Sequence, residues 1–244
     1  MSGVVAVFKR ELASYFATPI AYVFIWIFLV VSSLFAFNLG KLYERNQADL
    51  ASLFTFSPWL FLFLVPPLSM RLWAEERKSG TVELLLTLPI EIWQAVLGKF
   101  LAAWLFTGLA IALTFPMWIT VNYLGEPDNG VIVATYIGSF LMAGGFLAVG
   151  SCLSAATKNQ VIALIFSVFT CMLLVAAGWE LVLDFFSRWA PQALVDAIAS
   201  LSFYTHFTSI SKGVIDVRDL VYFALLIGVC LYANTIVLHL KKAD

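Results

Sequence analysis

Hydrophobic positions along the chain fall into long runs that contain no Asp, Glu, Lys or Arg. Six such runs cover 21 residues or more each: 12–40, 50–70, 100–125, 129–157, 159–179 and 220–240. An α-helix rises 1.5 Å per residue and needs about 20 apolar residues to cross about 30 Å of hydrocarbon. Each run is therefore long enough for one span, and the pattern predicts an all-α polytopic membrane protein with six transmembrane helices.

Composition and charge placement agree with this prediction. Hydrophobic residues make up 62% of the chain and charged residues 12%, against about 25% charged in a typical soluble domain. With the N-terminus in the cytoplasm, nine of the 14 Lys and Arg residues lie inside, which is the side that an excess of Lys and Arg marks. We expect a multi-pass protein of the bacterial inner membrane with both termini cytoplasmic. The first apolar run is too long for a cleaved secretory signal.

Residues 4–16 form an amphipathic pattern. Apolar side chains from Val4 to Phe16 share one stripe, with Arg10 and Ser14 opposite. This predicts an interfacial helix on the inner leaflet, after which Thr18 caps and Pro19 begins the first span. One long tilted helix remains the alternative.

Three later regions have patterns of their own. Pro58, Pro66 and Pro67 predict a second span that is kinked, especially near its inner end, and that faces protein or a cavity and not lipid alone. Small residues at four-residue spacing in 138–154 predict a helix-packing face, with a glycine-lined pore as the alternative. In the segment 180–219 the pattern predicts a short helix that begins near Ala190 and a second apolar stretch at 203–210. Neither is long enough to cross the membrane, so the segment is expected to be a periplasmic re-entrant segment or a periplasmic cap on the helix ends.

The segment 71–99 holds eight of the charged residues and is longer than a simple connection needs. Gly80 breaks the helical pattern, Thr81 can cap a new helix, and Glu83 suits the positive end of that helix's dipole. Pro89 disfavours helix at the residue before it. The pattern predicts a short helix that offers Leu84 and Leu85 to a groove on a partner.

Three motifs, spread over nearly the whole chain, carry a resemblance to a known protein family. The stretch EERKSGTVELLLTLP at 75–89 resembles the signature of ABC-2 type transporter permeases, in which a cytoplasmic coupling helix enters a cleft on the ATPase. KRELASYFATPIAYV at 9–23 and HFTSISKGVIDVRDLVYF at 206–223 resemble the gliding-motility-associated branch of that family. The resemblance implies a single ABC-2 type transmembrane permease domain over 1–244.

The resemblance also implies the functional parts. The ATPase-coupling element would comprise Glu76, Gly80, Thr81, Glu83, Leu84, Leu85 and Pro89. A translocation path would run between two permeases, lined by the second and fifth spans with Thr55, Ser57, Ser167 and Thr170. Implied partners are an ABC nucleotide-binding subunit, a second permease copy or paralogue, membrane lipid and a periplasmic auxiliary subunit, but no nucleic acid.

Little in the sequence indicates chemistry in this chain itself. It has no G-x-x-x-x-G-K-[ST] motif, so we expect no cofactor here, with ATP and Mg bound by the partner ATPase. Cys152, Cys171 and Cys230 lack metal-ligand spacing and are expected to be small buried residues. His206 is expected to be structural rather than a metal ligand or a proton carrier, and Asp216, Arg218 and Asp219 to form a solvated cluster.

Two other functions compete with transport. An intramembrane enzyme needs nucleophiles or carboxylates inside the bilayer, and no predicted span has a charge at its middle. A non-transporting anchor that transmits ATPase movement to a periplasmic partner would use the same helices, with 180–219 as its contact site. We expect export by a permease subunit that is not itself an enzyme.

Overall fold

The computed structural model describes residues 3–42, 44, 49–81 and 90–241, except the side chain of Ile20. In that part of the chain the regular structure is helical, without a β-strand, as predicted. A π-helical turn, Phe35–Leu39, extends the second helix. The helices are α1 Gly3–Ala17, α2 Pro19–Leu34, α3 Ala51–Phe54, α4 Ser57–Ser69, α5 Ala74–Ser79, α6 Ile92–Ala112, α7 Phe115–Leu124, α8 Asn129–Ala156, α9 Gln160–Ala176, α10 Glu180–Ser187, α11 Gln192–Ser200, α12 Phe203–Ser211 and α13 Val217–Leu240.

Four helical stretches of the described chain are long and apolar enough to cross a membrane: Ala21–Leu39, Ile92–Leu124, Asn129–Ala156 and Val217–Leu240. The pair α9 and α10, bent by 70°, makes a fifth if it counts as one span. The predicted second span consists of α3 and α4, and the 13 residues of α4 extend only about 20 Å. Four or five crossing helices are therefore supported, and the sixth stays a prediction.

Helix α8 lies at the centre and packs against α4, α6, α9, α12 and α13. Its glycines allow this contact, because a Cβ at Gly144 would lie 2.8 Å from the Trp104 indole and one at Gly145 would lie 3.0 Å from the Phe203 ring. Asn234 of α13 donates to the Ser151 hydroxyl at 2.7 Å inside this core. The predicted small-residue packing face is confirmed.

The predicted break at Thr18 and Pro19 is confirmed. Thr18 has extended backbone angles (φ −109°, ψ 139°) and Pro19 begins α2, so one continuous helix is excluded. The expected side-chain cap is wrong, because the Thr18 hydroxyl instead donates backwards to the Tyr15 carbonyl at 3.1 Å. Helix α1 packs along the start of α6, where a Cβ at Gly98 would lie 2.8 Å from the Val7 Cβ.

The second predicted span is interrupted near its N-terminal end, whereas the sequence predicted a kink near its C-terminal end, at Pro66 and Pro67. Helix α4 continues through Pro66 and Pro67 to Ser69, whereas the helical pattern is broken at 55–56, before Pro58. Most of α4 is buried against α8 and α9. The expectation that this helix faces protein is thus confirmed, because most of its side chains are buried against neighbouring helices.

The segment 180–213 folds as three short helices, and the two predicted stretches become α11 and α12. The side chains of Phe203, Phe207 and Ile210 are buried. Phe203 contacts α8 at Gly145 and Ile210 contacts it at Gly138, so α12 runs antiparallel to the first half of α8. Helix α13 runs parallel to α8, because Ile227 lies at Gly144 and Asn234 at Ser151.

Candidate functional site

The start of the 71–99 segment is fixed to the C-terminal end of α8. The Ser154 hydroxyl accepts from the backbone N–H groups of Trp73, at 3.2 Å, and Ala74, at 3.0 Å, and donates to the Met70 carbonyl at 2.7 Å. The Arg77 guanidinium donates to the Ala155 carbonyl at 2.6 Å. Helix termini leave backbone groups without partners inside the helix, and here α8 supplies those partners. Helix α5 is consequently anchored to the most buried helix of the bundle.

Gly80 ends α5 in the left-handed conformation, with φ +73°. A Cβ there would meet no atom within 4 Å, so the backbone angle and not crowding favours glycine. The predicted break at this position is confirmed. Thr81 contacts the preceding turn, with its Oγ1 2.9 Å from the Ser79 hydroxyl. The other coupling residues, Glu83, Leu84, Leu85 and Pro89, lie outside the described residues.

Lys99 is the buried cation of this region, with 3% of its surface exposed. Its ammonium group donates to Glu76 Oε1 at 2.7 Å and to the Leu72 carbonyl at 3.1 Å, and lies 3.5 Å from Glu11 Oε1. It also lies 5.0 Å from the centre of the Trp73 ring, within cation–π range. We call Glu11, Glu76 and Lys99 the Lys99 cluster, which joins α1, α5 and α6.

Arg10 extends the Lys99 cluster towards solvent. Its guanidinium lies 2.6 Å from Glu11 and 3.9 Å from Glu76. Glu76 Oε2 is buried without a hydrogen-bond partner among the described residues. A buried charge is tolerated when opposite charges and hydrogen bonds surround it, and loss of one member leaves the others uncompensated. The sequence motif identified Glu76, and the structure adds Lys99 as its buried partner.

Lys99 was missed because the sequence analysis placed it at the end of a loop. Helix α6 begins at Ile92, and Glu91 and Gln94 form a capping box at its N-terminus. Gln94 matches the second position of the sequence signal for a capping box, whereas Glu91 stands where Ser or Thr is usual, so the signal is a partial one. It would have placed Lys99 two turns inside the helix, where its side chain contacts α1 and α5.

A groove of about 480 Å³ opens beside the Lys99 cluster, between α1, α4 and α6. Tyr15 lines it and stacks on Phe106, with ring centres 5.0 Å apart. Burial, with a smaller contribution from Glu11, raises the pKa of the Tyr15 phenol. The charged residues of the groove are Glu11, Arg71, Glu75, Glu76 and Lys99.

Comparison with known proteins identifies the family. Residues 59–238 match the ABC-2 family transporter proteins. The chain belongs to this family. It is therefore a multi-pass membrane protein of the permease type, and the family's members are not themselves ATPases.

Two curated relatives of this ABC-2 permease carry the same name. Heme exporter protein B of Paracoccus denitrificans is 32% identical over 111 residues, which is 45% of this chain and 49% of the relative. The protein of that name from Rhodobacter capsulatus is 34% identical over 101 residues, which is 41% of this chain and 44% of the relative. The chain thus matches about half the length of each.

The residues predicted to line a translocation path are spread along this ABC-2 permease. Thr55 is exposed, whereas Ser57 is buried at the start of α4. Ser167 is buried, and a Cβ at Gly150 would lie 3.5 Å from its hydroxyl and would collide with that of Ser69. Ser57 and Ser69 are about 18 Å apart along α4. Thr170, half-buried, lies one turn beyond Ser167, so the four residues do not form one compact cluster.

A second polar contact joins the partly buried His206 to the buried Asp219. The His206 Nδ1 lies 2.6 Å from Asp219 Oδ1, and its Nε2 lies 3.0 Å from the Ser200 carbonyl. The imidazole also stacks on Tyr222, with ring centres 3.9 Å apart. This is the structural role expected for the histidine. The expected solvated cluster is wrong for Asp219, which is 5% exposed, because the chain folds back through α12 and covers it.

The remaining candidate chemistry is sparse. Cys171 is buried as expected, whereas Cys152 and Cys230 are only partly buried, and all three are free thiols. Among the described residues, no three His, Cys, Asp or Glu side chains gather as a metal site.

Proposed function

We propose that the chain is the permease subunit of an ABC transporter. A separate nucleotide-binding subunit binds ATP and Mg and hydrolyses the ATP, and this chain couples that reaction to export across the bacterial inner membrane. Family membership supports the subunit assignment. The observation that carries the coupling assignment is that the start of the 71–99 segment is bonded to the bundle through Ser154, Arg77 and the Lys99 cluster.

The proposed coupling works through these bonds. A partner that displaces the coupling element, Glu76, Gly80, Thr81, Glu83, Leu84, Leu85 and Pro89, would move α5 with it. Because α5 is bonded to α8 and, through Lys99, to α1 and α6, the displacement would reach three helices at once. Gly80 permits a sharp change of direction at the edge of this unit.

The proposed topology has six spans, both termini in the cytoplasm and a re-entrant segment at 180–219, within one permease domain over 1–244. The charge distribution supports the orientation. The antiparallel contact of α12 with the first half of α8 supports a segment that enters the outer half of the bundle and returns. We also propose that α1 lies along the inner leaflet.

We propose that two permeases, identical or paralogous, form the path between their second and fifth spans. The polar lining would come from Thr55, Ser57, Ser167 and Thr170 in otherwise apolar walls, which suit an amphipathic or lipid-linked substrate. The two relatives are named heme exporters, which supports outward transport. The motifs at 9–23 and 206–223 support placement in the gliding-motility-associated branch.

A non-transporting anchor is the second candidate. The short helices of 180–201 expose large apolar side chains, with Leu181 80%, Phe185 62% and Trp189 64% exposed. Such a surface suits contact with a periplasmic auxiliary subunit that receives the ATPase movement. ATP-dependent uptake into liposomes, with heme as first probe and with or without that subunit, separates the candidates. Movement of the probe by the permease and ATPase alone would exclude a purely mechanical role.

The coupling assignment is tested with Leu84→Asp and Gly80→Pro. Both variants should insert normally but fail to co-purify with the ATPase or to stimulate its hydrolysis, because the first charges an apolar contact and the second forbids the left-handed angle. Leu181→Asp, at an exposed position in α10, is the matched control and should keep the association. Unchanged ATPase association in both coupling variants would refute the assignment.

A further inference from the structure

A cavity of about 380 Å³ lies at the end of the bundle where α8 begins, between α3, α8 and α12. We call it the outer cavity. Its volume falls within the range of small-molecule sites, about 300–1,000 Å³. Apolar side chains, including Leu50, Phe54, Ile132 and Phe207, form much of its wall. Its polar lining comprises Asp49, Thr55, Asp128, Thr135, Tyr204, Thr208, Ser211 and Lys212.

The four aliphatic hydroxyl groups of the outer cavity are available mainly as acceptors. Each one donates its hydrogen to a carbonyl of its own helix: Thr55 to Ala51 at 2.7 Å, Thr135 to Val131 at 2.7 Å, Thr208 to Tyr204 at 2.9 Å and Ser211 to Thr208 at 2.9 Å. A hydroxyl has one donor hydrogen and two acceptor lone pairs. A ligand in the cavity therefore meets hydroxyl oxygens whose hydrogens are already used.

Two carboxylates add to this acceptor character. Asp49 Oδ1 accepts from the Ala51 N–H at 3.1 Å, and Asp128 Oδ1 accepts from the Gly130 N–H at 2.8 Å. The second oxygen of each has no hydrogen bond among the described residues, and no salt bridge there reaches either carboxylate or Lys212. The positive end of the α8 dipole offsets about half a charge at Asp128. The lining still carries more negative than positive charge.

We propose that the outer cavity binds a cationic amphiphile, with an ammonium head group and an apolar body. The head group would donate to the carboxylates and hydroxyl oxygens, while the body would contact Phe54, Ile132 and Phe207. Lys212 and the Tyr204 hydroxyl are the donors of the lining. An anionic head would therefore face two carboxylates with one exposed cation to balance them. Binding of this kind requires neither an ATPase nor transport.

The test uses the full chain in phosphatidylcholine nanodiscs. A medium-chain alkylamine bearing a diazirine is photoactivated, and the labelled peptides are mapped by mass spectrometry. A carboxylic acid of the same chain length and an uncharged alcohol serve as matched probes. We expect the amine to label peptides of α3, α12 and the start of α8 more strongly than either probe. Equal labelling by the acid or alcohol, or amine labelling only elsewhere, would overturn the proposal.

Neutral variants identify the groups responsible. Asn caps helices about as well as Asp, so Asp49→Asn with Asp128→Asn keeps the local hydrogen bonds and removes both charges. Labelling by the amine should fall about fivefold to tenfold, the size expected for loss of charge-assisted hydrogen bonds. Lys212→Gln should raise it, and Asp184→Asn, at an exposed position in α10, should leave it unchanged. Undiminished labelling of the double variant would contradict the proposal.

The natural source of the amine is decided by adding lipid. Phosphatidylethanolamine carries a primary ammonium head, so it should compete with the probe if the site receives an outer-leaflet lipid. Competition would assign the cavity to that head group. Undiminished labelling of the cavity peptides in its presence would assign the cavity to a free amphiphilic amine.

Discussion

Lys99 and Asp219 are both charged and almost fully buried, yet their surroundings differ. Lys99 contacts two carboxylates, a backbone carbonyl and an indole face, supplied by Glu11 of α1 and by residues 72–76. Asp219 has one side-chain partner among the described residues, His206, and its Oδ2 has no hydrogen bond there. Lys99 lies at the end of the bundle where α8 ends, and Asp219 lies near the end where α8 begins.

This difference indicates how firmly each end is held. Desolvating a charge costs several kcal/mol, which surrounding partners must offset. At Lys99 the compensation is divided among several groups, so thermal motion that breaks one contact leaves others in place. At Asp219 one polar contact, to His206, accompanies the aromatic contacts of His206 and Phe203 with Tyr222 and Phe223, so its loss would leave Asp219 without compensation and weaken the α12–α13 contact. We infer a stiff base for coupling and a more easily released outer segment.

The sharpest test of this comparison is Lys99→Met. The substitution keeps much of the apolar stem but leaves Glu11 and Glu76 facing each other with only the partly exposed Arg10 nearby. We expect a loss of about 3 kcal/mol in the free energy of unfolding, at the low end for breaking a buried pair because both carboxylates are partly solvated. Thermal unfolding in detergent, followed by size-exclusion chromatography, measures it.

A matched pair of variants controls the Lys99 experiment. Lys158→Met removes an exposed cation near the same end of the bundle and should change stability by no more than about 0.5 kcal/mol. Adding Glu76→Gln to Lys99→Met should restore part of the loss, because one uncompensated carboxylate is then removed. If Lys99→Met unfolds at the same temperature as the wild-type protein, the stiff-base inference fails.

Asp219→Asn should have a smaller effect, about 1–2 kcal/mol. The asparagine amide offers both a donor and an acceptor to His206 Nδ1, so this hydrogen bond can be kept while Nε2 stays in contact with the Ser200 carbonyl. The measurement is a double-mutant cycle with His206→Gln, which isolates the coupling between the two side chains. A coupling larger than that between Lys99 and Glu76 would reverse the order of the two ends.

Sequence patterns predicted those parts of the fold that depend on local properties. Charge-free runs locate four of the spans because hydrocarbon excludes charge along each helix separately. The break before Pro19 and the end of α5 at Gly80 follow from backbone angles that these residues favour. The small residues of α8 indicated its packing face, because helix backbones approach closely only where the side chains between them are small.

The missed features depend on contacts between distant parts of the chain. Asp219 looked solvated because it follows two other charged residues, but α12 covers it with His206 after a tight turn at Gly213, with φ +85°. Lys99 looked like a loop residue, and its partner Glu76 lies 23 residues earlier. No local pattern specifies either contact, because each requires helices to pack before the charges meet.

Asn234 and Ser151 form an uncharged buried pair, which can be compared with the two charged sites. Asn234, fully buried, donates to Ser151, and its Oδ1, like Asp219 Oδ2, has no hydrogen bond among the described residues. Ser151→Ala would leave the amide without its partner, and we expect a loss of about 1 kcal/mol, below both charged sites. Ser187→Ala, at an exposed position in α10, is the control and should be neutral in the same melting assay. If Ser151→Ala destabilised the protein as much as Asp219→Asn, unsatisfied hydrogen bonding and not charge would explain the weaker outer end.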